Sequence, residues 1–149
     1  MTFRIAVGMV VSAATSSLAA AQSDSVEATS LLGKPLIRPA MSAAGRATAE
    51  ANLTTARRAF ERTPTNADSI IWLGRRTAYL GRFREAIAIY TKGVAVHPAD
   101  ARLYRHRGHR YLTTRRLADA IGDFEKADRL TRGTPDQVEP DGQPNARGI

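Results

Sequence analysis

The chain contains no cysteine among its 149 residues. Disulfide bonds, cysteine metal ligands and a lipid-modified cysteine are therefore excluded, and the fold has to be held together by packing. Aromatic residues make up only 6% of the chain, and lysine occurs only at Lys34, Lys92 and Lys126. The apolar content of 43% is nevertheless ordinary for one globular domain.

Sequence motifs of catalysis and cofactor binding are also missing. There is no glycine-rich phosphate loop, and no Ser-His-Asp arrangement can be nominated. His106 and His109 have a spacing at which one helix could offer both rings to a metal ion, but His97 is the only other histidine and the neighbouring arginines repel cations. We therefore expect no enzyme activity, no cofactor and no metal site.

Positive charge is concentrated in the middle of the chain. The formal net charge is +8, and residues 42 to 132 hold 18 lysines and arginines against 9 acidic residues. Residues 133 to 149 hold one basic residue against three acidic ones. An excess of positive charge attracts nucleic acid, anionic lipid and acidic protein segments about equally well, so charge alone leaves the class of partner open.

The first 21 residues resemble a secretory signal peptide. A positive start, MTFR, precedes an apolar run rich in small residues, and three alanines before Gln22 fit a cleavage site. An uncleaved membrane anchor is the alternative, but serine and threonine interrupt the run. We expect cleavage after residue 21, export to the periplasm or the medium, no membrane span in the mature chain, and a flexible linker over residues 22 to 41.

The middle of the chain repeats itself with a period of 34 residues. The shift superposes Ala67 on Ala101, Gly74 on Gly108, Arg76 on Arg110, Arg82 on Arg116, Ala86 on Ala120, Ile87 on Ile121 and Lys92 on Lys126. So many matches at one period indicate an internal repeat.

Each repeat unit has the pattern of two helices. In the first unit Asn66 is suited to begin a helix, Gly81 to form a left-handed turn, and Pro98 to end the second helix. Small residues recur where two helix axes would approach closely, which gives the glycine inside RHRGHR a structural role.

These units sit within a longer predicted layout. Upstream, the stretch ANLTTARRAFERTPTN resembles only the second helix of such a unit, with Ala59 and Pro64 in register. This resemblance implies a lone helix over residues 43 to 62 before the two pairs, which makes five helices. The all-α domain is predicted to cover residues 42 to 132. After residue 130 apolar periodicity ends, so residues 133 to 149 are predicted to be a disordered tail.

At this level of detail the chain resembles the tetratricopeptide repeat family. The family pattern is met in the first unit by Ile70, Leu73, Gly74, Ala86, Tyr90, Gly93 and Pro98, and in the second by Tyr104, Gly108, Tyr111, Ala120, Phe124 and Ala127. The resemblance implies an α-solenoid that acts as a protein-binding scaffold or adaptor. The amino-acid sequences of both units also resemble those of exported bacterial repeat proteins of unassigned role.

The second unit departs from the family pattern at three arginines. Arg107 replaces a leucine, Arg115 a preferred glycine and Arg132 a preferred proline. Arg107 could either pack its aliphatic stem and extend its guanidinium into water or pair with a buried carboxylate. We expect the first arrangement.

The last helix of the array has no evident cover. Solenoid units stack, and terminal units carry a polar capping helix. The apolar side of the last helix consists of Leu117, Ile121, Phe124 and Leu130, and no further helix follows in this sequence. We expect self-association, or a shortened version of a longer array, rather than a tail that folds back.

In the family, the first helix of each pair lines a concave groove. The resemblance assigns to that groove Asp68, Ile71, Arg75, Ala78 and Tyr79 from the first unit, and Arg102, Arg105, His109, Leu112 and Thr113 from the second. The predicted partner-binding residues are Ile71, Arg75, Tyr79, Arg102, Arg105 and His109. The lysine and asparagine set of the family's carboxylate clamp is lacking.

The chemistry of these groove residues predicts the kind of ligand. Arginine forms paired hydrogen bonds with carboxylates, so the predicted ligand is an acidic, partly apolar peptide. The alternative is nucleic acid or another polyanion, bound by the basic and aromatic stretch YRHRGHRYL over residues 104 to 112.

Overall fold

The computed structural model describes residues 26–38, 40–135 and 137–142, and the predicted signal peptide lies outside them. Within the described residues there are two strands and five helices. They are β1 (Val26–Thr29), β2 (Pro35–Ile37), α1 (Ala43–Arg62), α2 (Ala67–Tyr79), α3 (Phe83–Val96), α4 (Ala101–Thr113) and α5 (Leu117–Thr131). The all-α prediction, with a leading helix and two helix pairs, is confirmed.

The helices begin and end where the sequence places caps and breakers. The side chain of Asn66 accepts the N–H of Ser69 at 2.9 Å and so caps α2. Gly81 has φ +72°, the left-handed conformation that glycine adopts without a Cβ clash, and it turns the chain from α2 into α3. Helix α3 ends at Val96, two residues before Pro98.

Two glycines occupy equivalent places in the two pairs. A Cβ on Gly74 would lie 2.4 Å from Cζ of Tyr90, and one on Gly108 would lie 2.8 Å from Cε1 of Phe124. Each glycine therefore lets an aromatic ring of the following helix reach the backbone of the first. The 34-residue repeat of the sequence is a structural repeat.

Successive helices pack against one another, and α2 also packs against α4. The first helices of the two pairs thus lie side by side and form one face of the array. The central apolar cluster, built from α2, α3 and α4, consists of Ile70, Ile71, Ala78, Ala86, Tyr90 and Leu103. Among the described residues no helix is long and apolar enough to cross a membrane.

The structure differs from the flexible linker expected over residues 22 to 41. Its described part forms an antiparallel hairpin of β1 and β2 that attaches to the first helix pair. The backbone N–H of Arg84, in the first turn of α3, donates to the carboxylate of Glu27 at 2.9 Å. Arg38 donates to the carbonyl of Leu80 at 3.0 Å. These contacts join segments far apart in sequence, which local sequence patterns do not indicate.

The expectation that Arg107 extends its guanidinium into water is wrong. Its Nε and Nη2 donate to the two carboxylate oxygens of Asp123, both at 2.8 Å, and its Nη1 lies 3.2 Å from Oγ1 of Thr91. Asp123 is only 6% exposed. The equivalent positions in the first pair are Leu73 and Ile89, which pack in an apolar cluster. A buried ion pair has replaced an apolar contact at one place in the repeat.

The turn between α4 and α5 contains a strained residue. Arg115, which corresponds to Gly81, has φ +63°. A left-handed conformation costs a non-glycine residue about 1 kcal/mol or more. We expect Arg115→Gly to raise the free energy of unfolding by about 1 kcal/mol in urea denaturation. The neighbouring Arg116 has φ −85°, so Arg116→Gly should give no gain. If Arg115→Gly were as stable as the original chain or less stable, the explanation by backbone strain would be wrong.

The apolar side of α5 remains open. Leu117 is 42% exposed and Ile121 58% exposed. The tail does fold back, contrary to expectation, and residues 138 to 141 contact α2 and α4. Self-association through α5 stays a prediction, which sedimentation at several concentrations would test.

Candidate functional site

A glutamate from the tail lies at the centre of the predicted groove. Glu139 is only 6% exposed. Arg105 donates from Nη2 to Oε1 of this carboxylate, and Nε2 of His106 lies 2.8 Å from Oε2. The ring of His106 stacks on Tyr90, with ring centroids 5.7 Å apart. Two consecutive residues of α4 thus provide matched donors for one buried carboxylate.

Two further arginines of the groove hold the tail on either side of this glutamate. Nη1 of Arg75, on α2, donates to Oδ2 of Asp141 at 2.9 Å. Nη1 of Arg102, at the start of α4, donates to the backbone carbonyl of Val138 at 2.7 Å. The tail therefore lies across α2 and α4, the two helices that the sequence assigned to the groove.

The docked part of the tail is a β-turn. The N–H of Gly142 donates to the carbonyl of Glu139 at 2.8 Å, and Gly142 has φ +79°. Pro140 occupies the second position of this turn, where its fixed φ is favourable. Residues 137 to 142 are therefore ordered on the groove, whereas residues 133 to 149 were expected to be disordered; residues 143 to 149 lie outside the described part of the chain.

The protonation states of the central pair follow from its surroundings. Burial lowers the pKa of His106 and outweighs the opposing hydrogen bond to Glu139, so the neutral ring donates from Nε2. Burial disfavours the ionised form of Glu139, but the hydrogen bond from His106 and the charge of Arg105 outweigh it and lower the pKa of Glu139. The docked tail therefore presents an ionised carboxylate at neutral pH.

These directions make docking of the tail sensitive to acid. Because the pKa of Glu139 is lowered from its ordinary value of 4.5, docking is favoured above pH 4.5 and is lost as the pH falls through the lowered pKa. We expect the NMR amide signals of Val138, Glu139 and Asp141 to become those of a random coil on acidification. Glu139→Gln should abolish this pH step, and a step that survives in that variant would contradict the assignment.

Not all the predicted groove residues are available to a ligand. Ile71 is 0% exposed within the central apolar cluster. It therefore has no accessible surface for the expected contact with a ligand. Arg102 is paired with Asp100 at 2.7 Å and with Asp68 at 2.9 Å, so much of its charge is already compensated. It serves to orient the start of α4 as well as the tail.

The remaining two predicted residues border the groove. Tyr79 is 50% exposed, and its hydroxyl lies 3.4 Å from Nη2 of Arg75. His109 packs edge-on against Phe124, with ring centroids 5.1 Å apart. Burial and the charge of Arg105 lower the pKa of His109, so this ring is neutral at pH 7 and does not add a positive charge there.

The groove has capacity that the tail leaves unused. Nε of Arg105 is buried and has no hydrogen-bond acceptor among the described residues. A cavity of about 370 Å³ lies beside Glu139 and Asp141, and its walls include Tyr79 and His109. A ligand larger than this turn could fill this space.

Sequence reasoning missed the tail residues and the role of His106. Val138, Glu139 and Asp141 have no periodic pattern, and their only signal was the reversal of charge between the domain and residues 133 to 149. The spacing of His106 from His109 is one at which a helix could offer both rings to a metal ion, and in the structure Nε2 of His106 contacts Glu139. Within the described ranges no three histidine, aspartate or glutamate side chains are placed to hold a metal ion.

Known proteins and structures share parts of this fold. No family model matches the chain. The chain is 41% identical over 56 residues to tetratricopeptide repeat protein 13 of Homo sapiens, a stretch that covers 38% of this chain and 6% of the human protein. It is similar to the solved structure of MamA AMB-1 in the P212121 form, with a TM-score of 0.53 and 25% identity, over 60% of this chain and 49% of that one. Another crystal structure of MamA gives a TM-score of 0.53 and 25% identity over 57% of this chain and 50% of that one.

These similarities cover only part of each protein. The chain spans a small fraction of the human protein and about half of MamA, which is itself of the tetratricopeptide type. The helix pairs of this chain therefore have the fold of a tetratricopeptide-type α-solenoid.

Proposed function

We propose that the chain is an adaptor that binds an acidic segment of a partner protein in its concave groove and works outside the cytoplasm. The observation that carries the proposal is the position of the acidic turn of residues 139 to 142 on Arg75 and Arg105. The residue pattern of the first 21 residues supports export. A repeat scaffold that lacks catalytic motifs fits binding better than chemistry.

The contacts favour a protein ligand over nucleic acid. Two of the positive charges of α4 are already compensated within the chain, because Arg102 pairs with Asp100 and Arg107 with Asp123. The buried donor pair that remains, Arg105 with His106, encloses a single planar carboxylate. Nucleic-acid binding depends instead on an exposed row of basic side chains along a phosphate backbone.

Titration with labelled peptides tests this proposal. The protein is the full chain with Glu139→Gln and Asp141→Asn, which removes the two carboxylates that occupy the groove. The probe is a fluorescent peptide with the sequence of residues 134–142, TPDQVEPDG, followed by anisotropy. We expect binding, and we expect Arg75→Glu with Arg105→Glu to weaken it by about tenfold or more, because two charged hydrogen bonds are lost.

A matched control separates the effect of the groove arginines on binding from the effect of the protein's net charge. Arg58 and Arg62 are exposed on α1, and neither lines the cavity beside Glu139. Reversal of both changes the total charge equally and should leave affinity for the peptide within about twofold once salt is held fixed. Equal losses in the two double variants would contradict a groove site. Tighter binding of a single-stranded oligonucleotide, with a steep salt dependence, would favour the alternative function.

A further inference from the structure

We propose that the groove recognises a β-turn on its protein partner, with the chemistry Glu-Pro-Asp-Gly, rather than an extended strand or a helix. The inference rests on the proposed function and adds the conformation of the ligand to it. Residues 139 to 142 of this chain are then an internal copy of the partner's turn. Acidic side chains at the first and third turn positions carry the recognition.

The local chemistry of the internal copy sets this conformation. The bond from Gly142 N to Glu139 O, at 2.8 Å, closes the turn. Pro140 fixes the backbone at the second position and has no N–H to leave unsatisfied. Gly142 has φ +79°, which a residue with a side chain adopts only with strain. The sequence and the hydrogen bond therefore favour the same turn.

The groove is matched to two carboxylates held in this way. Arg105 and His106 on α4 receive the side chain at the first turn position, and Arg75 on α2 receives the side chain at the third. The two receiving sites are on different helices, so their separation is set by the packing of α2 against α4. A closed turn fixes the separation of its own two carboxylates before binding, which lowers the entropy lost on association.

A contact to the main chain fixes the direction in which the ligand segment enters the groove. Arg102 donates to the carbonyl of Val138 at 2.7 Å, directly before the turn. This bond is available to any residue type at that position, since it uses the main chain. The side chain of Val138 is 56% exposed, so the groove places little demand on it. The recognised unit is therefore one main-chain carbonyl followed by the acidic turn.

The internal copy leaves room for a partner to replace it. It occupies one face of a cavity of about 370 Å³ and leaves Nε of Arg105 without an acceptor among the described residues. A turn on a folded partner can bring neighbouring side chains into that space. The docking surface is thus a site for a protein loop whose carboxylates displace those of Glu139 and Asp141.

Three short peptides test the conformation at constant charge. All are acetylated and amidated, and the protein is the full chain with Glu139→Gln and Asp141→Asn. The first peptide is QVEPDG; the second, QVEPDV, strains the fourth turn position; the third, QVEAAD, has no proline and moves the second carboxylate one residue further away. We expect the second and third to bind about tenfold more weakly than the first in competition with a labelled QVEPDG probe, because strain and free-chain entropy oppose them.

The outcomes separate this inference from the proposed function. All three peptides could bind with equal affinity and lose it on charge reversal of Arg75 and Arg105. That result would overturn the preference for a turn and would leave the proposed binding of an acidic segment in place. No binding of any peptide would overturn both and leave the tail with a structural role only. In the full chain, Gly142→Val keeps every charge and should release residues 138 to 141, seen as random-coil NMR signals. A tail that stays docked in this variant would overturn the inference independently.

Discussion

Replacement of Arg107 by leucine alone is expected to lower the free energy of unfolding by about 3 to 5 kcal/mol. The cause is the partner left behind, because Asp123 is only 6% exposed and loses both of its 2.8 Å bonds from the guanidinium. An unpaired buried carboxylate costs more free energy than the pair contributed. Urea denaturation followed by circular dichroism measures the change.

The first repeat supplies the control for this prediction. The equivalent residues there are Leu73 and Ile89, which pack in an apolar cluster. The double variant Arg107→Leu with Asp123→Ile copies them into the second repeat and should recover the stability of the original chain or exceed it, since a buried pair is often no better than an apolar contact. If the double variant were as unstable as Arg107→Leu, desolvation of Asp123 would not be the cause.

Neutralisation of the tail carboxylates is expected to strengthen binding of an external acidic peptide by about tenfold or more. A tethered ligand competes at an effective concentration on the order of millimolar, so a groove closed by its own tail shows a lower apparent affinity for a partner. The comparison is between the original chain and the variant Glu139→Gln with Asp141→Asn, titrated with the same labelled QVEPDG probe. Calorimetry would check the ratio of the two dissociation constants.

A mild change elsewhere in the tail gives the control for this competition. Val138 contributes its carbonyl to Arg102 while its side chain is 56% exposed. Val138→Ala therefore keeps the docking contacts, and its affinity for the probe should stay near that of the original chain. If all three proteins bound the probe equally, the tail would not compete for the groove.

The sequence predicted those features that depend on local pattern. Asn66 and Gly81 mark helix ends through bonds and dihedral angles within a few residues, and the structure has them there. Gly74 and Gly108 stand out because a repeat places equivalent residues at one period, and close helix packing was expected at both; the structure adds that each meets an aromatic ring. Arg75 and Arg105 were assigned to the groove by the family resemblance alone.

The features that the sequence did not predict depend on contacts between distant segments. Nothing in the neighbourhood of Arg107 names Asp123 as its partner, because the two meet only when α4 packs on α5. Ile71 looked available from its helix position but is covered by the central cluster. To predict the docking of Glu139, one would have to match a short turn that lacks apolar periodicity to the charge of a groove. The only indication in the sequence was the opposite charge of the tail.

The central claim is that Arg75 and Arg105 hold an acidic turn in the concave groove. NMR of the uniformly labelled full chain tests it most directly, through nuclear Overhauser contacts between the side chain of Glu139 and the ring of His106. These contacts are predicted at neutral pH, and they should vanish on Arg75→Glu with Arg105→Glu but persist on Arg58→Glu with Arg62→Glu. Random-coil signals for residues 138 to 141 in the original chain would contradict the claim.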